Sequence, residues 1–324
     1  MYTKLAEEVL KSGETLEVGV VLAPDEAHAE QVKPFLGHKQ MPYKWHIEKS
    51  VHERLDDLET RYYVGKLKGA IVCNIMTVEH RRTGILGHVY TVPDHRRKGA
   101  CDAVMRNQMA DFRRRGGGLM FLGTGFESPP YWIYHRNGFR SVLPGTGHMR
   151  YVSEEGFEAE HFASGASEVT EVRWHDWPRV NALCGLPGPE VVRGVAWGIA
   201  GQASFEGGFL NFKRAIEAGG GTLARLLVSE RGAVTGFASV SPDGRWRGTH
   251  ALDCFAHANH STAMGLLIEA LPLPKGKVQA HADANSTAKI AALRAVGFQE
   301  EARLARQVTW RDQTLDVLVM SKFV

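Results

Sequence analysis

The ten residues 92–101, VPDHRRKGAC, decide how this sequence is interpreted. They follow an apolar strand pattern at residues 85–92 and lead into a helical pattern at residues 97–115, so a proline-stopped strand meets a helix at a basic turn. Such a turn aims several unpaired N–H groups and the positive end of the helix dipole at one point. Gly99 allows close approach to the backbone, and the two residues before it are basic. The stretch therefore predicts a site for an anion such as a diphosphate.

A second motif, YWIYHRNGF at residues 131–139, follows the next predicted strand. Together the two motifs resemble the GNAT-type N-acetyltransferase superfamily, whose members use acetyl-CoA. The first is similar to that family's coenzyme A loop, Gln/Arg-x-x-Gly-x-Gly/Ala, with Arg96 and Gly99 at the first two fixed positions and Cys101 at the third, where a smaller residue is usual. The second is similar to Leu-Tyr-x-x-x-Gly-Phe. The resemblance covers most of residues 16–152.

The resemblance implies acetyl-CoA as co-substrate and no metal. In that fold a strand, here the one with Val89–Val92, parts from its neighbour, and pantetheine lies in the gap. Two groups of residues are then expected to bind the cofactor through their main chain. They are Tyr90, Thr91 and Val92 for pantetheine, and Arg97, Lys98, Gly99, Ala100, Cys101 and Asp102 for the diphosphate.

The resemblance also implies a catalytic tyrosine. Tyr134 matches the family's tyrosine, and a phenol with an ordinary pKa of about 10 can protonate a leaving thiolate. Glu127 stands where the family often has an asparagine, and it is one candidate for the base that deprotonates the amine. His88, on the parting strand, is the other candidate because an imidazole titrates near neutral pH. A chain of water molecules is the alternative to both.

Composition limits the remaining classes. The 324 residues exceed one ordinary domain, and 39 Lys and Arg against 36 Asp and Glu give a net charge of only +3, so neither a nucleic-acid nor a membrane partner is expected. The four cysteines show no metal-ligand spacing. The sequence contains no apolar run of the ~20 residues that a membrane helix needs, and no signal peptide is recognisable. We expect a soluble, cytoplasmic protein.

The order of predicted elements occurs twice, which predicts two tandem GNAT-like domains of α/β class. Each would be a central, mostly antiparallel, twisted sheet flanked by helices. We expect a catalytic domain at residues 1–152, a linker at 153–167 and a degenerate second copy at 168–324. Leu293 stands at the tyrosine position of that copy, and its turn AHANH at 256–260 lacks both the glycine and the strongly basic residues. The insertion between Pro187 and Gly221 has no counterpart in the first half.

The predicted function is acetyl transfer to a primary amine of a small molecule or peptide, by direct attack in a ternary complex. The alternative is a non-catalytic acyl-CoA sensor or structural protein that has kept the fold. A dinucleotide-binding oxidoreductase is disfavoured because no GxGxxG follows a strand. The second half is also a candidate surface for forming a homodimer.

Overall fold

A computed structural model describes residues 1–324. Its seventeen strands are β1 Tyr2–Val9, β2 Thr15–Leu22, β3 Glu59–Leu67, β4 Ala70–His80, β5 Thr83–Thr91, β6 Leu119–Gly123, β7 Arg140–Ser141, β8 His148–Val152, β9 Ser167–Thr170, β10 Val192–Gly194, β11 Ile199–Ala200, β12 Leu223–Ser229, β13 Val234–Pro242, β14 Thr249–Ala256, β15 Lys277–Asp283, β16 Gln299–Trp310 and β17 Gln313–Phe323. Its nine α-helices are α1 Glu26–Phe35, α2 Tyr43–Ser50, α3 Ala100–Arg114, α4 Pro129–Arg136, α5 Phe157–His161, α6 Asp176–Gly185, α7 Glu206–Glu217, α8 Met264–Glu269 and α9 Thr287–Ala295.

The chain forms two compact units that alternate along the sequence. The first unit comprises residues 1–157 and 173–179, and the second comprises residues 158–172 and 180–324. The predicted linker at 153–167 is not irregular throughout, because it contains α5 and the first residue of β9. None of the helices has the length and apolar character that crossing a bilayer requires.

The sheet of the first unit has the strand order β1-β2-β3-β4-β5-β6-β8-β7. Every neighbouring pair is antiparallel except β5 and β6, which run parallel. Helix α3 forms because apolar residues recur along one face, and it buries Val104, Met109 and Phe112 against the sheet. That parallel pair and the helix between its strands position the site described below.

The sheet of the second unit repeats this arrangement. Its order is β9-β12-β13-β14-β15-β17-β16, again antiparallel except for one central pair, β14 and β15. Each strand has a counterpart in the order of the first sheet, from β9 and β2 at one end to β16 and β7 at the other. Helices α8 and α9 contribute Leu267, Ile268 and Leu293 to its core. The predicted α/β class with two duplicated, mostly antiparallel sheets is confirmed.

Three elements differ from the sequence prediction. Helix α3 begins at Ala100 instead of residue 97, because Arg97 and Gly99 adopt positive φ angles of 60° and 96° that no right-handed helix allows. Helix α2 spans Tyr43–Ser50, whereas the helical pattern of the sequence predicts a helix around residues 47–58. Strand β16 escaped prediction because it is exposed along nearly all its length and interrupted by two register shifts, so it lacks the alternation that marks a half-buried strand.

Candidate functional site

The site begins where β5 and β6 part. Their parallel pairing covers only Thr83↔Leu119, Gly84↔Met120 and Ile85↔Phe121. From Leu86 onward the edge of β5 that faces β6 has no ladder partner, whereas its other edge stays paired with β4 as far as Thr91. The result is a row of main-chain donors and acceptors open to an extended ligand.

A β-bulge lies on the same strand at the parting point. Asn74 of β4 pairs with Tyr90 and Met76 pairs with Gly87, so the one residue between them on β4 opposes both His88 and Val89. His88 has a positive φ of 51°, and the Asn74 side-chain amide donates to its carbonyl oxygen over 3.1 Å. The bulge therefore interrupts, at His88, the alternation of side chains between the two faces of the sheet.

The amino-terminal end of α3 provides the second half of the site. The first helical hydrogen bond at this end is donated by Ala103 to the carbonyl of Gly99. The backbone N–H groups of residues 97–102 donate to no acceptor within the chain. Six main-chain donors at a helix N-terminus make a cradle for an anion, and the residues fit the diphosphate of coenzyme A.

The unpaired edge of β5 and the start of α3 open into one groove of about 520 Å³. We call it the β5–α3 groove, and it is lined by Lys11, Val89, Tyr90, Thr91, His95, Arg96, Arg97, Gly99, Ala100, Cys101, Asp102, Pro129, Pro130, Ile133 and Arg136. Four of its side chains are Lys or Arg, and one is acidic. The groove is therefore electropositive as well as rich in main-chain donors.

The structure brings together seven of the nine residues predicted to bind the cofactor: Tyr90, Thr91, Arg97, Gly99, Ala100, Cys101 and Asp102 all line the groove. Two do not. The side chain of Lys98 does not line the groove, and its ammonium lies 3.8 Å from Glu14, although its N–H is one of the six unpaired donors. Val92 follows the end of β5, where its N–H donates to Val72 and its carbonyl accepts from His95.

His88 lies on β5, three residues after the last pair with β6, and is only 7 % exposed. Its ring meets the ring of Tyr43, from the start of α2, at 5.2 Å between centroids, and its Nε2 has no hydrogen-bond partner. Burial holds the pKa of His88 well below its ordinary value, and the nearby His46, Lys39 and His38 lower it further. The imidazole is therefore neutral at pH 7.

None of the three predicted catalytic residues lines the groove: His88, Tyr134 and Glu127 all lie outside its lining. Tyr134 on α4 is 5 % exposed and belongs to the apolar core, with its ring 6.2 Å from that of Phe139. Its helical neighbour Ile133 faces the groove instead. Glu127 sits in the exposed turn before α4 with a positive φ of 53°.

Two cationic groove residues, Lys11 and Arg136, escaped the sequence prediction, whereas Arg96 stands at the first fixed position of the predicted loop. Lys11 comes from the turn between β1 and β2 and is tied to the α3 turn by its N–H, which donates to the carbonyl of Lys98 over 3.0 Å. Arg136 comes from the end of α4 and lies 3.7 Å from Asp102. Arg96 donates through Nε to the carbonyl of Thr91, which fixes the turn to the strand. Lys11 and Arg136 are distant from the motif in sequence, and only the tertiary fold brings them to it.

Comparison with known proteins gives structural neighbours. No protein-family model matches the sequence, and no curated protein matches it. Among solved structures, an N-acetyltransferase from Staphylococcus aureus Mu50 is 14 % identical and covers 49 % of this chain and 99 % of its own, with a TM-score of 0.41. A GNAT-superfamily phosphinothricin acetyltransferase from Sinorhizobium meliloti, solved with acetyl-CoA, is 17 % identical over 49 % of this chain and 89 % of its own, with a TM-score of 0.39.

A ribosomal-protein-alanine N-acetyltransferase from Brucella melitensis is 24 % identical over 48 % of this chain and 99 % of its own, with a TM-score of 0.38. Each of these neighbours thus spans about half of the chain. The parted strand and the unpaired N–H groups at the start of α3 are features that the resemblance of the two motifs implied. These solved acetyltransferases are the proteins to which this chain is similar.

Proposed function

We propose that this protein is an acetyl-CoA-dependent N-acetyltransferase that acts on a primary amine and has its active site in the first unit. The observation that carries the proposal is the set of six unpaired N–H groups at residues 97–102, which lie beside the unpaired edge of β5. One end of the β5–α3 groove suits a diphosphate, and the other suits an extended amide chain. Coenzyme A has both parts.

In this proposal the main chain does most of the binding. The amides of residues 97–102 hold the diphosphate, with Arg97, Lys11 and Arg136 compensating its charge. The open edge of β5 at Tyr90 and Thr91 binds the pantetheine arm. Acetyl-CoA, when bound, supplies an acetyl thioester. Binding energy from the remote nucleotide then holds that group beside the amine, which lowers the barrier chiefly by positioning.

His88 is the better-placed base of the two candidates. It lies on the stretch of β5 that has parted from β6, it is buried, and its Nε2 has no hydrogen-bond partner. Glu127 is exposed in a loop outside the groove. We therefore assign the base to His88 and the acid to the hydroxyl of Tyr134.

The test is release of free thiol from acetyl-CoA in the presence of a panel of primary amines. We expect Tyr134→Phe to lower kcat by about 10²-fold and to leave the Kd for acetyl-CoA unchanged, because only proton donation is lost. The matched control is Tyr131→Phe, three residues earlier, whose hydroxyl only meets Ser141 at 3.0 Å. Equal kcat values for the two variants would contradict the assignment of Tyr134.

A non-catalytic acyl-CoA sensor is the second candidate, and the buried position of Tyr134 favours it. A sensor would bind acetyl-CoA in the same groove, yet it would release no thiol with any amine. Calorimetric binding together with zero turnover over the whole panel would therefore decide for the sensor. Absence of binding at millimolar acetyl-CoA would exclude both functions.

A further inference from the structure

The second unit repeats the parted strands of the first. Strands β14 and β15 pair in parallel from Thr249↔Lys277 to Leu252↔Ala280, and from Asp253 onward the edge of β14 that faces β15 has no ladder partner. The first unit opens at the equivalent place into the β5–α3 groove. In the second unit the corresponding space contains protein.

The occupant is the segment 190–197, from the insertion that only the second half carries. Its strand β10 packs against both β14 and β15. Asp283, at the end of β15, accepts the N–H groups of Val191 and Val192 at 2.5 and 3.0 Å. Asp253, the first unpaired residue of β14, accepts those of residues 195, 196 and 197 at 2.7 to 3.3 Å.

The carbonyl groups of the segment are bound as well. The ammonium of Lys289 on α9 donates to the carbonyl of Val192 over 2.8 Å. Lys289, Asp253 and Asp283 are each at most 3 % exposed. These three charged side chains therefore form their hydrogen bonds with the buried segment and not with solvent. Gly194 permits the close approach, since a Cβ there would lie 2.8 Å from Oδ2 of Asp253.

The turn after β14, which corresponds to the diphosphate turn, is also covered. Asn259 donates through Nδ2 to the carbonyl of Phe162, whose ring stacks on that of His257 at 5.1 Å. The two ring nitrogens of His260 meet Ser167 Oγ and the carbonyl of Ala163, both at 3.1 Å. Residues 162–167 therefore close the space that a diphosphate would need.

We propose that segment 190–197 is a built-in occupant of the second cleft, where its main chain takes the place that pantetheine takes in the first. The second unit consequently binds no coenzyme A, and each chain binds one molecule. The stoichiometry rests on the proposed function of the first unit, whereas the occupied cleft does not.

Two measurements on the full-length protein test the inference separately from the proposed function. Calorimetry with acetyl-CoA should give one site per chain. Two sites would overturn the inference and leave the proposed function in place. Hydrogen exchange should show residues 190–197 protected as strongly as β14, and exchange as fast as in the exposed turn at 244–248 would overturn it. No binding together with protected residues 190–197 would overturn the proposed function and support the occupied cleft.

A pair of matched variants tests the contacts directly. Asp253→Asn removes the charge that accepts three N–H groups, and it should speed exchange at residues 195–197 at least about tenfold. Asp312→Asn makes the same change on an exposed turn and should leave those rates as they are. Unchanged exchange in Asp253→Asn would contradict the inference, and if that variant does not fold, the wild-type exchange pattern still decides.

Discussion

Arg115, which follows the last turn of α3, ties three buried groups of the first unit together. Its guanidinium donates to Glu79 over 2.6 Å, to Asp111 over 2.9 Å and to the hydroxyl of Tyr63 over 3.0 Å. Glu79 is 1 % exposed and Asp111 is 5 % exposed. Burial raises the pKa of Asp111, but hydrogen bonds from Tyr63 and Arg115 outweigh it and hold that pKa below its ordinary value. The arginine is what makes two carboxylates tolerable inside the unit.

Replacing Arg115 with alanine should therefore lower the free energy of unfolding by about 3 kcal/mol, because Glu79 and Asp111 would be left buried and without their shared cation. Arg113→Ala, on the exposed face of the same helix, should cost less than about 0.5 kcal/mol. Urea unfolding of the two variants measures the difference. Similar midpoints would contradict a structural role for the network.

Buried histidines make stability depend on pH. His46 is fully buried between the α2 backbone and the tryptophan rings of 174 and 177, and burial lowers its pKa from 6.5 to about 3. The folded state thus leaves this ring neutral at pH values where the unfolded state protonates it. As the pH falls from about 6.5 toward 3, the unfolded state binds the extra proton, and stability is lost.

We expect the free energy of unfolding to fall toward acid with a contribution from His46 of up to about 1.4 kcal/mol per pH unit below pH 6. His46→Phe should make the slope shallower by about one proton, whatever its effect on stability at pH 7. Urea titrations between pH 7 and 4.5 give the slope, with the same substitution at exposed His52 as the control. A slope that matches the wild type would refute the assignment.

At the scale of single elements, the start of α3 depends on one left-handed glycine. Gly99 has a φ of 96°, and a Cβ there would meet nothing closer than Lys11 Cγ at 4.0 Å. Gly69, in the turn between β3 and β4, has a φ of 84° with nothing within 4 Å. The two glycines thus share the same backbone requirement, but only Gly99 faces the β5–α3 groove.

Alanine at either glycine should cost about 1 kcal/mol of stability through backbone strain alone. Only Gly99→Ala should also weaken acetyl-CoA binding, by roughly tenfold, since its methyl group would stand in the proposed path of the diphosphate. Thermal unfolding and calorimetry on both variants separate the two effects. Equal affinity in the two variants would place the diphosphate elsewhere.

Some elements of the fold can be predicted from the sequence, and others cannot. The hairpin β3–β4, the strand β5 and helices α3 and α4 were predictable, because apolar spacing and Gly or Pro stop signals mark each one. The bulge at His88 left no such signal, since it arises from a register shift between two strands. The burial of Tyr134 agrees with its being a core aromatic on a short helix, whereas the family motif gives only the position of the residue and not the depth of the helix.

The site was predictable only where it is local in sequence. Residues 97–102 offer main-chain N–H groups, so a short motif suffices to predict the cradle that they form. Lys11 reaches the groove from a distant turn, and Asp253 and Lys289 bind partners that lie far away in the sequence. Their roles depend on strand order, and an amino-acid pattern does not encode that order.

At the scale of the whole molecule, the first unit is completed by residues 173–179, which follow the second unit's segment 158–172 in the sequence. Residues 173–179 supply Trp174 and Trp177, whose rings pack on Trp45 and His46 at 4.9 and 4.8 Å. The N–H of Trp174 also donates to Asp56 over 2.7 Å. Cutting the chain at the sequence-predicted boundary of residue 152 removes all of these contacts.

A fragment 1–152 should therefore lack a cooperative thermal transition, whereas a fragment 1–185 should unfold with one. The physical reason is the apolar surface of α2, which only the later tryptophans cover. Differential scanning calorimetry of the two fragments makes the comparison. Indistinguishable transitions would show that residues 173–179 add nothing to the first unit.

Because the two units alternate along the sequence, their parts are synthesised in a fixed order. Residues 158–172 leave the ribosome before residues 173–179, although the latter belong to the unit that was begun first. The amino-terminal half must therefore wait, with the α2 tryptophan and histidine uncovered, until residues 173–179 have left the ribosome. A nascent chain stalled before they emerge would expose an apolar surface to chaperones, and one stalled after they have emerged would not.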